Sequence, residues 1–318
     1  MAQPTNTFDT YDAKGNREDL EDIIYDISPT ETPVVSAIDR GKADASFHEW
    51  QTDELAAASK DNAVVEADDV EGDAATATVR IGNYTQLMDK VVVVSSTQRA
   101  TKTAGRKDEL GYQLAKRGKE LKRDIEAAIT QNNHAVAGDS STARKLGGME
   151  VWIATADRHG AGGSTTATTS GAPTATKLTD GTQRAFTEDE FLAGWQTAWE
   201  NGGDPSLVVA GAFNKRRFST FTGNTSKHMD MTKKKLVSSV DVYVGDFGTT
   251  KIVASRFNRT RTVLGIDPEY WSIATLQGMK TEPLAKTGHA EKRLLSTELT
   301  LVCKNEKASF KVADLTTA

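Results

Sequence analysis

Three features of this sequence predict an α+β fold. β-Branched runs recur at hairpin spacing, and one long amphipathic stripe has helical periodicity. There is also neither a fixed-period repeat nor the strand and helix alternation of a parallel doubly wound sheet. With 318 residues, 37% hydrophobic and 26% charged, the chain can bury a substantial core. It is nonetheless lean in apolar content, as expected of a molecule with extended parts that bury surface on assembly.

The elements follow in chain order. Over residues 16–28, Leu20, Ile23, Ile24 and Ile27 recur at helical offsets behind the early acids Glu18 and Asp19, which predicts a short amphipathic helix. Pro29 and Pro33 are expected to stop it and favour an extended continuation. These first 40 or so residues carry too few apolar side chains to fold alone and are expected to lie on something else. Strand character appears around Phe47 and Trp50 and returns strongly from Thr76 to Thr97. Between them, Asp53 to Asp73 holds eight acidic residues against the single Lys60, so the two strands should form a hairpin-like arm with a solvated, acidic connection.

The longest predicted helix starts near Arg106 and runs about 30 residues, or about 45 Å, to a stop at Gly138. Leu110, Leu114, Leu121, Ile125, Ile129 and Val136 form its apolar stripe, while Lys107, Lys116, Lys119, Lys122, Arg123 and Glu126 occupy the other faces. Residues 160–185, rich in Gly, Ser, Thr and Ala, read as a flexible loop or insertion. A second helix follows Thr187, whose pairing with Glu190 three residues on matches a capping box, and Gly202 lies beyond its end. The strand SLVVAGA and a helix over 212–221 come next. Then VDVYVGD and TTKIVASRF flank Phe247 and Gly248 as a hairpin, and strand signals return in TVLGI, LLSTELTLVCKN and KASFKVADL.

No coherent enzyme chemistry emerges. The glycine-rich stretch after His159 lacks the Lys-Ser/Thr ending of a phosphate loop, and the five histidines are too scattered for a helical zinc pair. Asp68, Asp69, Glu71 and Asp73 offer hard oxygen ligands, but at spacings unlike those of a calcium loop. Neither a cofactor nor a metal site is expected. Cys303, the one cysteine, sits among strand-like apolar residues and reads as packing. No apolar run is long enough to span a bilayer. The net charge of −5 argues against a dedicated nucleic-acid binder. The local sets Lys116, Lys119, Lys122, Arg123 and Arg256, Arg259, Arg261 could face phosphates, or equally an acidic arm of a neighbouring subunit.

The order of several segments resembles a known family. NREDLEDIIYDISPTETPVVSAI, the long helix ending near NNH, KLGGMEVWI, EFLAGWQTAWENGGDPSLVVAGAFNKRRFSTF, DVYVGDFGTTKIVASRF, IDPEYWSIATLQ and PLAKTGHAEKRLLSTELTLVCKNEKA together resemble the major capsid proteins of tailed bacteriophages with the Hong Kong 97-type fold. The resemblance spans nearly the whole chain outside the 160–185 loop. It implies an N-terminal arm over 1–45, an extended loop over 46–97 and a peripheral domain with a long spine helix over 98–149. An axial domain over 150–275 and a return to the peripheral domain over 276–318 would complete the chain.

The resemblance also implies subunits that assemble in the host cytoplasm, without a membrane, into hexamers and pentamers of an icosahedral virion shell. That shell would enclose double-stranded DNA contacted non-specifically, with a portal and decoration proteins as further partners. The arm motif begins almost at the start of the sequence, which implies a separate scaffolding protein. No residues match the lysine and asparagine that crosslink some family members, so assembly is expected to be non-covalent. Candidate subunit-interface residues are Glu18, Asp19, Asp22, Pro29, Pro33, Lys116, Lys119 and Arg123. The competing readings are another virion or surface-layer protein and, more remotely, a hydrolase with dispersed carboxylates.

Overall fold

The computed structural model describes residues 31–67, 72, 75–102, 108–164, 171–173, 177–221, 229–230, 235–236 and 242–317. The helix expected over 16–28 lies outside them, as do Glu18, Asp19, Asp22, Pro29 and the acidic set Asp68, Asp69, Glu71 and Asp73. The described chain enters through helix α1 (Pro33–Ala37) and strand β1 (Asp39–Lys42). Here the expectation for Pro33 is corrected. It opens a helical turn instead of ending one, because its missing N–H falls at a first position where no helical donor is needed.

Strands β2 (Phe47–Thr52) and β3 (Val79–Tyr84) pair antiparallel, from Phe47 opposite Tyr84 to Thr52 opposite Val79. They form the expected hairpin. Strand β4 (Gln86–Ser95) and helix α2 (Ser96–Ala100) follow.

Helix α3 spans Glu109–Thr130, 22 residues and about 33 Å, shorter than the sequence suggests. The Asp108 carboxylate accepts the N–H groups of Leu110 and Gly111 at its start. At its end the chain turns to extended backbone at Gln131. The apolar periodicity ran on too far because Val136 sits at a helix-compatible spacing, yet pairs with Lys145 across a tight loop. Gly138 serves that loop, at φ +74 and with Arg144 crowding the place where a Cβ would stand.

Helix α4 (Met149–Trp152), strand β5 (Asp157–Arg158) and helix α5 (Glu188–Glu200) come next. The capping box before α5 is half realised. Thr187 accepts the Glu190 N–H at 3.4 Å, but the Glu190 carboxylate turns away to Arg158 and Arg184. The remaining elements are β6 (Leu207–Ala210), α6 (Ala212–Phe218), β7 (Met229–Asp230), β8 (Lys235–Leu236), β9 (Val242–Gly245), β10 (Gly248–Ala254), β11 (Val263–Ile266), β12 (Trp271–Leu284), β13 (Ala290–Cys303) and β14 (Phe310–Val312).

Sequence reasoning missed β1 and β12 as strands. The first, DRGK, is wholly exposed. The second carries Gly278 and Pro283, which read as breakers; register shifts between Thr275, Gln277 and Lys280 absorb the irregularity. The β1 pairing ends at Thr275, so Pro283 lies where the outer edge of β12 needs no donor.

Two sheets organise the molecule, one ordered β1-β12-β13-β4 and the other β5-β14-β11-β6-β10-β9. Leu121, Ile125 and Ile129 of α3 pack with Met88, Ile273, Leu295, Leu299 and Leu301 from the first sheet, and with Leu207, Val209, Leu264 and Ile266 from the second. A second core joins Val208, Ala210, Val263 and Phe310 to Phe191, Trp195 and Phe218. Alternate residues of β6 thus enter different cores, which is why LVVA is continuously apolar. Gly265 is required where β11 meets Phe310, since a Cβ there would lie 2.1 Å from the ring.

Candidate assembly surfaces

The β2–β3 hairpin is rooted by buried polar groups. Asn83, fully buried, donates to the Gly147 and Leu301 carbonyls at 3.1 and 2.8 Å and accepts the Gly147 N–H at 2.9 Å. Thr85 donates to Glu298 at 2.6 Å, and Arg144 binds both that carboxylate and the Thr85 carbonyl. On the other strand, Trp50 donates to the Cys303 carbonyl at 2.8 Å and stacks on Trp152 at 5.6 Å. Each of these donors and acceptors would cost free energy if left unpaired, so the base of the arm is held in one position.

Farther out, Gly171 hydrogen-bonds to β3 and Lys307 reaches Glu54 at 2.5 Å. Leu55, Val64 and Val65 are 99%, 86% and 74% exposed on the acidic connection, an arrangement that leaves apolar side chains in water on a segment with no core beneath it.

A second apolar surface lies on the four-stranded sheet. In β4, Met88, Val92 and Val94 are buried and Lys90 reaches Asp124 on α3 at 2.6 Å, while Leu87, Val91 and Val93 are exposed on the opposite face. Cross-strand pairing sets Leu294 beside Val91, and Lys292 beside Val93.

The N-terminal segment is clasped to α3 by one carboxylate. Glu126, assigned by the sequence to a solvated face, is fully buried. Its two oxygens accept the N–H groups of Val34 and Val35 at 3.0 and 2.9 Å. Thr32 provides no side-chain cap, so Glu126 does so from 92 residues away. Burial raises its pKa, opposed by the two N–H groups. Only its neighbours Ile125 and Ile129 hinted that an acid here would be drawn inward.

The sequence-predicted interface residues fare differently. Lys116 and Lys119 are exposed on α3, while Arg123 is partly buried with its guanidinium 5.3 Å from the Phe257 ring centre. Pro33 begins α1. Of the second basic set, only Arg256 remains outward. Arg259 binds Glu150 at 2.7 Å and also Asp180, and Arg261 binds Asp180 at 3.2 Å and Asp314 at 2.9 Å. The reading of these two as phosphate or neighbour contacts is therefore corrected, because their charges are spent within the chain.

The same network docks residues 177–181 onto the body, and Gly171 hydrogen-bonds to Arg80 and Gly82 of β3. The described parts of the 160–185 loop are thus tethered, though they form no helix. Burial raises the Glu150 pKa against the pull of Arg259. Cys303 is sealed in the first core and its thiol is pushed well up by burial. Among the described residues, no three His, Cys, Asp or Glu side chains gather as a metal site, and no helix is long and apolar enough to cross a membrane.

A family model described as SU10 major capsid protein matches residues 3–316. The major capsid protein of Escherichia phage Phieco32 is 29% identical, with 97% of each chain covered. Among solved structures, a chain of the cyanophage A-1(L) capsid asymmetric unit has a TM-score of 0.63 at 12% identity, covering 96% of this chain and 98% of that one. A chain of the capsid of a native GTA particle has a TM-score of 0.61 at 10% identity, with 95% and 96% covered. At such identities the structural likenesses speak for the fold.

Proposed function

This chain belongs to the SU10 major capsid protein family, a virion structural protein with the Hong Kong 97-type fold, and from that premise we propose how its copies join. They assemble as hexamers and pentamers that close an icosahedral shell around double-stranded DNA. The contacts are non-covalent, and assembly takes place in the host cytoplasm on a separate scaffolding protein, with a portal and decoration proteins as further partners.

Residues 1–45 act as an N-terminal arm, 46–97 as the extended loop, and 98–149 with 276–318 as the peripheral domain around α3. Residues 150–275 form the axial domain. Glu18, Asp19, Asp22 and Pro29 belong to the arm and meet a neighbouring copy, and Pro33 starts the turn from which that arm departs.

The observation that carries this reading is the pair of unmatched apolar surfaces on one chain: Leu55, Val64 and Val65 on a rooted arm, and Leu87, Val91 and Val93 on a free sheet face. Neither is covered by the described residues of its own subunit, whereas the arm of one copy laid on the sheet of the next buries both. Lys292 on that face suits the acidic connection.

Co-expression with its scaffolding protein, followed by electron microscopy, should show closed isometric shells with hexameric and pentameric units. Their subunits should run as monomers in SDS. Flat sheets, fibres or a persistent monomer would overturn the shell reading, and an SDS-resistant ladder would overturn non-covalent assembly.

A further inference from the structure

We propose that the end of α3, the loop 255–262 and α6 form a phosphate-binding surface for duplex DNA, with Lys119, Arg123, Arg216, Arg217 and Arg256 as its cations. The proposal rests on the reading of the chain as a DNA-enclosing shell subunit, and adds to it the face that meets the nucleic acid.

Contiguity comes from hydrogen bonds on both sides of one loop. From α3, Gln131 donates to the Phe257 carbonyl at 3.0 Å, and the Arg123 guanidinium lies over the Phe257 ring. From α6, Asn214 donates to the Thr260 carbonyl at 2.9 Å and Lys215 to the Ile252 carbonyl at 2.8 Å. Arg256 lies between the acceptors Ile252 and Phe257 in sequence and is exposed, as are Arg216 and Arg217. The guanidinium carbons of the latter two lie 5.4 and 5.2 Å from the Phe213 ring centre. Arginines laid on aromatic rings lose less freedom on binding a phosphate than free ones do, and the planar fork suits its oxygens.

The surface is also unneutralised. From Leu207 to Thr262 the sequence holds eleven basic residues against three acidic ones, Asp230, Asp241 and Asp246; Arg259 and Arg261 turn to internal carboxylates, whereas Arg216, Arg217 and Arg256 are exposed. On α3, Glu120 pairs with Arg117, Asp124 pairs with Lys90, and Glu126 is buried on backbone N–H groups. No ion pair recorded among the described residues involves Lys119, Arg123, Arg216, Arg217 or Arg256.

A chain with net charge −5 that keeps such a cluster free has localised its positive charge. Two features favour a polyanion over a neighbour's acidic arm. The arm's apolar residues match the exposed Leu87, Val91 and Val93 of β4, on the face away from α3, whereas the patch presents guanidinium and ammonium groups with the Phe213 and Phe257 rings half-buried beside the arginines. Because no base-reading element accompanies the arginines, the contact is sequence-independent and governed by counterion release.

The test uses the full-length unassembled chain and a fluorescent random-sequence duplex, with anisotropy measured across a salt series. Arg216→Ser, Arg217→Ser and Arg256→Ser together, all at exposed positions, should weaken binding at low salt by at least about tenfold and flatten the log–log salt dependence by about three. A control with Lys280→Ser and Lys286→Ser, exposed on and beyond β12, should bind as wild type. Electron microscopy of both variants is read in parallel.

Loss of duplex affinity with normal shells supports the proposal. Unchanged affinity, or equal loss in the control, overturns it. Unchanged affinity with failed shells overturns it in favour of a contact with a neighbour's acidic segment. Failure of the wild type to form shells would count against the shell reading, independently of the binding result.

Discussion

In strand β4 of the β1-β12-β13-β4 sheet the two faces carry the same kinds of residue and end in opposite conditions. Toward α3, Met88, Val92, Val94 and Leu295 meet Leu110, Leu121, Ile125 and Ile129 and are buried; on the reverse, Leu87, Val91 and Val93 have only cross-strand neighbours among the described residues and stay largely exposed. The strand alternates in position without alternating in polarity, since VVVV serves both sides. A monomeric enzyme would be expected to place polar residues on a face it exposes. The contrast therefore separates what folds the subunit from what joins it to others, and substitutions on the two faces should divide along that line.

The largest expected effect lies at the centre of the finished face. Ile129→Ala removes a fully buried side chain and should cost about 2–5 kcal/mol in urea unfolding. A loss under about 1 kcal/mol would mean that α3 is not packed as described.

Next comes the clasp at the edge of that face. Glu126→Gln keeps one acceptor for the Val34 and Val35 N–H groups and loses the other, so a cost of about 1–3 kcal/mol is expected. Proteolysis should meanwhile cut the first thirty or so residues faster, with the body intact. No change in either readout would remove Glu126 from its role.

The same residue predicts a pH dependence smaller than the substitution itself. Its folded-state pKa is raised above the ordinary 4.5 by burial, so between that value and the raised one the folded form holds more protons than the unfolded. Its contribution is fully present below 4.5 and declines as pH rises through the folded-state value. The stability of wild type minus Glu126→Gln should therefore fall as pH is raised from 4.5, measured as paired denaturant midpoints. A difference that grows with pH would contradict a buried, desolvated carboxylate.

Much of this was legible in the sequence, for identifiable reasons. The stripe Leu121, Ile125, Ile129 reports α3 because its period depends on neighbours three and four residues away. The hairpin of β9 and β10 is visible because its turn is local. Glu126 could not be placed, since its partners lie 92 and 91 residues away and no local pattern encodes them. The ties of Arg259 and Arg261 to Asp180 were hidden likewise, each spanning about 80 residues. Strand β12 failed for a different reason: its glycine and proline are local stop signals, overridden by eleven residue pairs with β13.

The smallest expected effect on folding carries the most weight for assembly. Val91→Thr with Val93→Thr keeps the β-branched shape and the strand propensity, on a face that the isolated subunit leaves in water. The change in unfolding free energy should stay within about 0.5 kcal/mol. Assembly should respond differently, because a shell that covers this face with a neighbour's arm must desolvate two added hydroxyls per subunit. At about 1 kcal/mol for each, the concentration needed for shells should rise by at least about tenfold. Light scattering during assembly of the two proteins side by side reads this directly. Equal thresholds would mean that the exposed valines are not a seam, and the contrast between the two faces would then mark only an unused surface.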